Sequence, residues 1–310
     1  MKVFTLTLNP AVDVHAEAES FALHRESVAA VTSRDAGGKG INISRALAAL
    51  GTESEAFVVL GEENGAEFSE MLQRDGVEHT ALWTAGRIRE NITVHVEGER
   101  ETRLSFLGFR GSDALLDRLE ELLLPRVEPG DAVTFTGSVP GGVSHDRVMT
   151  FLSRVRARGA QLVLDSKSLT REDILFLRPA LIKPNEEEVA AYIGHEAGSL
   201  SDCIEGAREL SLSGVGCVMV SFGGEGAILA ASGHVFLARP PKIKPLSTVG
   251  AGDACIAGFL YAASRGESAE ECLCRAVALG TAACLSAGTG APKKEDEERI
   301  LPLVTLESIL

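Results

Sequence analysis

Apolar and polar positions alternate along this chain in two rhythms, one with the period of strands and one with the period of amphipathic helices. Lys2 to Leu8 sets Val3, Thr5 and Thr7 opposite Phe4, Leu6 and Leu8, which predicts a first strand ended by Asn9-Pro10. Val28 to Ser33 reads as another strand. After Gly37-Gly38-Lys39-Gly40, the residues Ile43, Leu47 and Leu50 share one helical face that Gly51 closes. Phe57 to Leu60 reads as a buried strand and Ala66 to Arg74 as a helix.

The next stretch differs in kind. Ile92, Val94 and Val96 alternate with polar residues, Gly98-Glu99 supplies a turn, and Leu104 and Phe106 alternate again. This is a β-hairpin with one apolar face and no neighbouring helix to cover it, and such a hairpin is marginal alone. The expectation is that it joins strands near residues 12–33 in a small second sheet.

From Asp113 the pattern becomes α/β. Helices over 113–123, 145–158, 171–178, 185–193, 202–212, 251–264 and 268–286 alternate with strands over 132–135, 161–164, 180–182 and 217–221. The segments 227–230 and 234–238 form a hairpin. Strands alternating with helices imply a mainly parallel sheet covered on both faces.

Composition narrows the functions. The chain has 310 residues, 45% apolar and 24% charged, an ordinary globular composition. Its net charge of −14 argues against nucleic acid and anionic membranes as partners. An acidic protein that handles anions must gather its positive charge locally. The six cysteines, at 203, 217, 255, 272, 274 and 284, form no C-x-x-C pair and read as buried thiols of a reducing compartment. No H-E-x-x-H is present. Asn9, Pro10 and Asp13 stand where a signal peptide needs its apolar run, and no stretch is apolar enough to span a membrane, so a cytoplasmic protein is expected.

The candidate chemistry lies in loops after strands. In Ser247-Thr248-Val249-Gly250-Ala251-Gly252-Asp253 a glycine-rich turn opens a helix. Small residues there leave free backbone N–H groups at the positive end of the helix dipole, a site for an anion such as a transferring phosphoryl group. Asp253 is placed to take a proton from an attacking hydroxyl, or simply to stabilise the helix start. Gly37-Gly38-Lys39-Gly40-Ile41-Asn42 offers amides, a cation and a side-chain amide to a hydroxylated, anionic ligand, or is a glycine loop with a surface Lys. Asp13 suits sugar hydroxyls, or a turn. Ser138, in Thr136 to Gly142, follows a strand in the place where parallel sheets collect ligands, where it touches substrate or belongs only to the loop. In Lys183-Pro184-Asn185-Glu186-Glu187-Glu188, Asn185 and Glu188 fit a capping box, or a water and Mg²⁺ site beside a nucleotide. Ser221 to Ala227, with Gly223 and Gly226, is either a glycine turn or a passage close to a nucleotide. No Walker P-loop, nucleophile elbow or dinucleotide fingerprint is present.

The order of these five loops resembles the PfkB carbohydrate kinases of the ribokinase-like superfamily over essentially the whole chain. The opening Thr5-Leu6-Thr7-Leu8-Asn9-Pro10-Ala11-Val12-Asp13 is similar to the branch of 1-phosphofructokinases, tagatose-6-phosphate kinases and minor 6-phosphofructokinases. The resemblance implies a three-layer α/β/α ribokinase-like fold, with 1–310 as one kinase domain and a discontinuous β lid from about 12–34 and 88–108. It implies Asp253 as catalytic base, with Gly250, Ala251 and Gly252 as the anion hole. Asp13, Gly38, Lys39, Asn42 and Ser138, with Arg89 and Arg103 from the lid, map to the sugar phosphate. Lys183, Asn185, Ser221, Gly223 and Gly226 map to ATP, and Glu188 (through water) with Asn185 to Mg²⁺. A K⁺ requirement is left open.

The implied reaction is ATP-dependent phosphorylation of a ketohexose phosphate, fructose 1-phosphate first, with tagatose 6-phosphate or fructose 6-phosphate as alternatives. A non-catalytic sugar-phosphate-binding regulator on the same fold is the reading from another class. A homodimer through the apolar lid face is expected. Two stretches depart from the branch pattern, Leu107-Gly108-Phe109-Arg110-Gly111 in place of a Gly-Pro element and Asp165-Ser166-Lys167-Ser168 in place of an Asp-x-Ser-Gly turn.

Overall fold

The computed structural model describes residues 1–99, 101–194, 199–286 and 290–309. In chain order the elements are β1 (Val3–Thr7), β2 (Ala11–Ala18), β3 (Ala29–Gly37), α1 (Lys39–Ala49), β4 (Ser54–Gly61), α2 (Gly65–Arg74), β5 (His79–Thr84), β6 (Arg89–His95) and β7 (Thr102–Ser105). There follow α3 (Asp113–Leu123), β8 (Ala132–Thr136), α4 (His145–Ala157), β9 (Gln161–Asp165), α5 (Arg171–Leu177), β10 (Leu181–Ile182), α6 (Glu186–Ile193) and α7 (Leu200–Leu212). The chain ends with β11 (Cys217–Ser221), β12 (Ala227–Ala231), β13 (His234–Arg239), α8 (Ala251–Ser264), α9 (Ala269–Ala283), α10 (Lys294–Ile300) and β14 (Thr305–Ser308).

The main sheet has ten strands in the order β14-β13-β12-β11-β10-β9-β8-β1-β4-β5. It is parallel from β5 to β11 and antiparallel from β11 to β14. The alternation in β1 is real, but both its faces are buried. Phe4 and Leu6 pack into one core with side chains of α2, α3 and α4. Val3 packs into a second core with α1, α8 and α9. Thr5, on that same face, meets Ser44 of α1 through a 2.7 Å hydroxyl pair. Two apolar layers on one sheet make the three-layer α/β/α architecture expected from the sequence.

Successive strands leave β1 in opposite directions, to β4 and β5 on one side and to β8 through β11 on the other. This reversal opens a crevice beyond the carboxyl ends of β1 and β8, where ligands of open α/β sheets bind.

A second sheet, ordered β3-β2-β6-β7, stands over that crevice. It is the small second sheet expected from the strand pattern, with differences in extent. β3 runs on to Gly37 rather than stopping at Ser33, so a lid strand feeds directly into α1. β2 pairs antiparallel with β3 and parallel with β6. The apolar face expected to be bare is partly covered by the protein itself: Ile92 packs against the main core and Val94 is buried, while Leu104 and Phe106 are 44% and 51% exposed. Position 100, inside the expected lid hairpin, lies outside the described residues.

Edge elements escaped the sequence reading. β5 and β14 are the two borders of the main sheet, and α10 is a short, strongly charged helix. Phe57, fully buried in β4, gives the fold a direct test. Phe57→Ala is expected to destabilise the protein by about 3–5 kcal/mol in urea unfolding, and a loss under about 1 kcal/mol would contradict the packing described.

Candidate active site

Four parallel strands end at one cavity of about 480 Å³. β1 brings Thr7 and Asn9, β8 brings Thr136, Gly137 and Ser138, β9 brings Asp165, and β10 brings Lys183. The start of α1 adds Gly38, Lys39 and Asn42, and the start of α8 adds Gly250, Gly252 and Asp253. Asp13, Arg89, Asn91 and Arg103 complete it from the lid. The cavity is polar in an unusual way. Seven buried side-chain polar atoms among the described residues have no hydrogen-bond partner, and five of them, on Thr7, Arg89, Asn91, Thr136 and Asp165, belong to residues lining this cavity. Buried polar atoms are ordinarily satisfied, so such a concentration marks where a polar ligand belongs.

Asp253 sits in the first turn of α8, 7% exposed. Gly250 caps that helix at φ 80°, a left-handed conformation that favours glycine, and so turns the chain without covering the free N–H groups. The Asn42 amide donates to Asp253 Oδ2 at 2.8 Å across 211 residues of sequence. Burial pushes the Asp253 carboxyl from its usual 3.8 up to about 6; the Asn42 hydrogen bond and the Lys39 and Lys183 charges pull it down, and Asp165 pushes it up. The result is an acid that is ionised at neutral pH and still basic enough to take a proton.

Asp165 holds the cations of the site. Its Oδ1 pairs with Lys39 Nζ at 2.6 Å, and Oδ2 lies 3.7 Å from the buried Lys183 Nζ. Burial alone would lower the Lys183 ammonium, but Asp165 foremost, with Cys255, Asp253 and Glu188, holds it above the ordinary lysine value. A Cβ at position 252 would lie 3.2 Å from Lys183 Nζ, so Gly252 lets that charge rest on the first turn of α8. On the lid side, Asp13 Oδ1 accepts from Asn91 Nδ2 at 2.8 Å and from Arg103 Nη2 at 3.0 Å. Arg89 donates to the Asn9 carbonyl at 3.4 Å.

The remaining expected residues form a separate group one strand further along. Asn185 bridges to Ser221 as an isolated parallel pair, and Gly223 and Gly226 bound the turn between β11 and β12. Lys183, expected to contact the nucleotide, lines the cavity with Asp253. Ala251 lies at the start of α8 without lining it. Asn185 and Glu188 form a complete capping box: Asn185 Oδ1 accepts from the Glu188 N–H at 2.8 Å, and Glu188 Oε2 from the Asn185 N–H at 3.1 Å.

Among the described residues no group of three or more His, Cys, Asp or Glu side chains gathers to hold a metal. Mg²⁺ needs less than that, one or two carboxylates plus waters and substrate phosphate oxygens. Glu188 Oε1 is free of the cap and 3.7 Å from Lys167 Nζ, so the donor set fits a metal held through this one carboxylate, while the Asn185 oxygen is engaged. Asp165, Asn91, Thr7 and Asn9 were missed as site residues. Asp165 carried a signal, an acid ending a buried strand, whereas the lid partner Asn91 carried none.

The fold and site bring together an open helix start, a buried carboxylate and two lysines in one polar crevice. Comparisons with known proteins identify the family. The pattern of a pfkB family carbohydrate kinase matches residues 9–296. The chain is 32% identical to the 1-phosphofructokinase of Rhodobacter capsulatus over 311 residues, covering 100% of this chain and 98% of that one. It is 30% identical to the 1-phosphofructokinase of Vibrio cholerae over 294 residues, 95% and 93% of the two chains. The structure of phosphofructokinase-2 from Escherichia coli in complex with substrates and products superimposes with a TM-score of 0.91 at 28% identity, over 98% and 99% of the chains. The protein belongs to the pfkB family of carbohydrate kinases. Among the described residues no helix is long and apolar enough to cross a membrane.

The carboxyl of Asp253 also makes a stability prediction. Folded, it holds its proton to about pH 6, whereas unfolded it releases it near 3.8, so its stabilising contribution is full below about pH 4 and lost as pH rises through about 6. Asp253→Asn cannot ionise. It should be more stable than the wild type at pH 8 by roughly 1–3 kcal/mol, with the difference vanishing near pH 4. Equal urea midpoints at both pH values would mean that the carboxylate is not desolvated.

Proposed function

We propose that the protein transfers the γ-phosphoryl group of ATP to the free primary hydroxyl of a ketohexose phosphate, with fructose 1-phosphate as its substrate and fructose 1,6-bisphosphate as product. The observation that carries the reading is the buried Asp253 carboxylate beside the open N-terminus of α8, in a cavity whose unsatisfied polar atoms and cations come from four strand ends, the start of α1 and the lid. The names of the two bacterial relatives favour fructose 1-phosphate. The likeness to phosphofructokinase-2 from Escherichia coli, solved in complex with fructose-6-phosphate, keeps fructose 6-phosphate as the second reading, with tagatose 6-phosphate beside it. A regulator without catalysis has less support, since the relatives of this family are named as kinases and the buried Asp253 carboxylate is retained.

Arg89 and Arg103 take the substrate phosphate at the lid end, and Asp13 and Asn42 orient hydroxyls. Asp253 Oδ2 is held by Asn42, which leaves Oδ1 for the proton of the attacking hydroxyl. As the hydroxyl oxygen bonds to the γ-phosphorus, the bond from phosphorus to the β,γ-bridging oxygen breaks, ADP leaves, and the proton rests on Asp253. The transition state is loose and anionic, so alignment and charge matter most. The amides of residues 250–252 and the Lys183 ammonium stand where that charge develops. Mg²⁺, when bound near Glu188, shields phosphate charge. Asn185, Ser221, Gly223 and Gly226 contact the nucleotide, and the lid excludes water so that ATP is not merely hydrolysed.

Exposed Leu104 and Phe106 on the lid support a homodimer through that sheet. Sedimentation at micromolar concentration should show a dimer, and a monomer there would contradict it.

Assayed in parallel, fructose 1-phosphate should exceed fructose 6-phosphate and tagatose 6-phosphate in kcat/KM by at least about tenfold. A preference for either of the others would transfer the assignment to that sugar. Asp253→Asn should cut kcat by at least about 10³-fold while ATP still binds. A variant retaining more than about a tenth of the turnover would remove Asp253 from the role of base.

A further inference from the structure

Behind Asp253 runs a series of contacts that no step above uses. Arg45 lies on α1 one turn beyond Asn42 and is 5% exposed. Its Nε and Nη2 hold Asp75, the residue that ends α2, at 3.0 and 2.8 Å. Nη2 also donates to the carbonyl of Ala36, at the end of β3, at 2.6 Å. Nη1 donates to Asn42 Oδ1 at 3.1 Å, and the other side of that amide, Nδ2, donates to Asp253. A guanidinium has only donors and an ionised carboxylate only acceptors. An amide held between them is satisfied in one orientation and opposed on both sides in the flipped one.

We propose that Arg45 is a positioning residue for phosphoryl transfer: clamped by Asp75 and the Ala36 carbonyl, it fixes the Asn42 amide so that an N–H is always presented to Asp253. Its catalytic consequence rests on the kinase reading above, while its geometry does not. Without Arg45 the amide is free to turn its oxygen toward Asp253, an arrangement that suits only the protonated acid. Amide flip and proton uptake are therefore coupled, and the Asn42 hydrogen bond that lowers the Asp253 carboxyl is lost when Arg45 is removed.

The other charged groups near Asp253 are Lys39 of α1, Asp165 at the end of β9 and Lys183 after β10, with the buried Cys255 thiol, pushed up to about 11, on α8 itself. On its far side Arg45 faces Asp75, which also meets Arg74 at 3.5 Å, and Arg74 reaches Asp35 at 3.9 Å.

The test is ¹³C NMR titration of the Asp253 side-chain carboxyl in the full chain. Arg45→Gln should titrate about half to one pH unit above the wild type, and kcat should fall about 3–10-fold with KM for ATP unchanged. Arg45→Lys, which keeps a charge but not the fork, should restore part of both. In an Asn42→Ala background Arg45→Gln should add nothing, because the effect passes through that amide. If Arg45→Gln does not fold, Asp75→Asn decides, since it loosens the clamp from the surface side: an upward titration supports the proposal and an unchanged one overturns it. An unchanged titration in folded Arg45→Gln, or a full shift in the Asn42→Ala background, also overturns it. The titration needs no turnover, so a protein inactive on every sugar phosphate would sink the proposed function and leave this test intact.

Discussion

A carboxylate taken out of water at the start of a helix is the constraint on which the site depends. Asp253 is buried, and an unpaired buried charge is costly. It stays ionisable because one donated N–H, two lysines and the positive end of α8 compensate for the lost hydration. Each partner reaches it from a different element: Asn42 and Lys39 from α1, Lys183 from the end of β10. Asp165 both holds the two lysines and opposes Asp253. The two acids thus divide the positive charge, which leaves Asp253 a base of moderate strength rather than a fully neutralised ion-pair partner.

The fold makes that convergence possible. Reversal of strand order at β1 opens the crevice, and parallel strands deliver all their loops to the same edge. The lid covers this edge because β3 runs without a break into the glycines before α1. Arg45 bonds the carbonyl of Ala36 in that strand and the amide of Asn42, so the end of β3 and the Asp253 carboxylate share one anchor.

Much of this was legible in the sequence because the relevant signals are local. The glycine-and-acid start of α8, the loop at 37–42 and the turn after β8 are each contiguous, and their order identified the family. The capping box at Asn185 and Glu188 was legible for the same reason, as a cap is a four-residue object. What escaped is non-local. Asp165 meets Lys39 across 126 residues, and Asn91 meets Asp13 across 78. Nothing in either neighbourhood announces the partner. Lys183 was singled out through the family resemblance, but that its side chain reaches the first turn of α8 beside Gly252 is visible only in the fold. The edge strands β5 and β14 lacked the continuous apolar run of the central strands, since they are covered less.

If the buried carboxylate directs phosphoryl transfer to a sugar hydroxyl rather than to water, product and ADP must appear together. ³¹P and ¹³C NMR of fructose 1-phosphate incubated with ATP and the enzyme would follow both. One ADP for each new phosphate ester at C6 is the expected result. ADP accompanied by an equal amount of inorganic phosphate, with no ester at C6, would contradict the account.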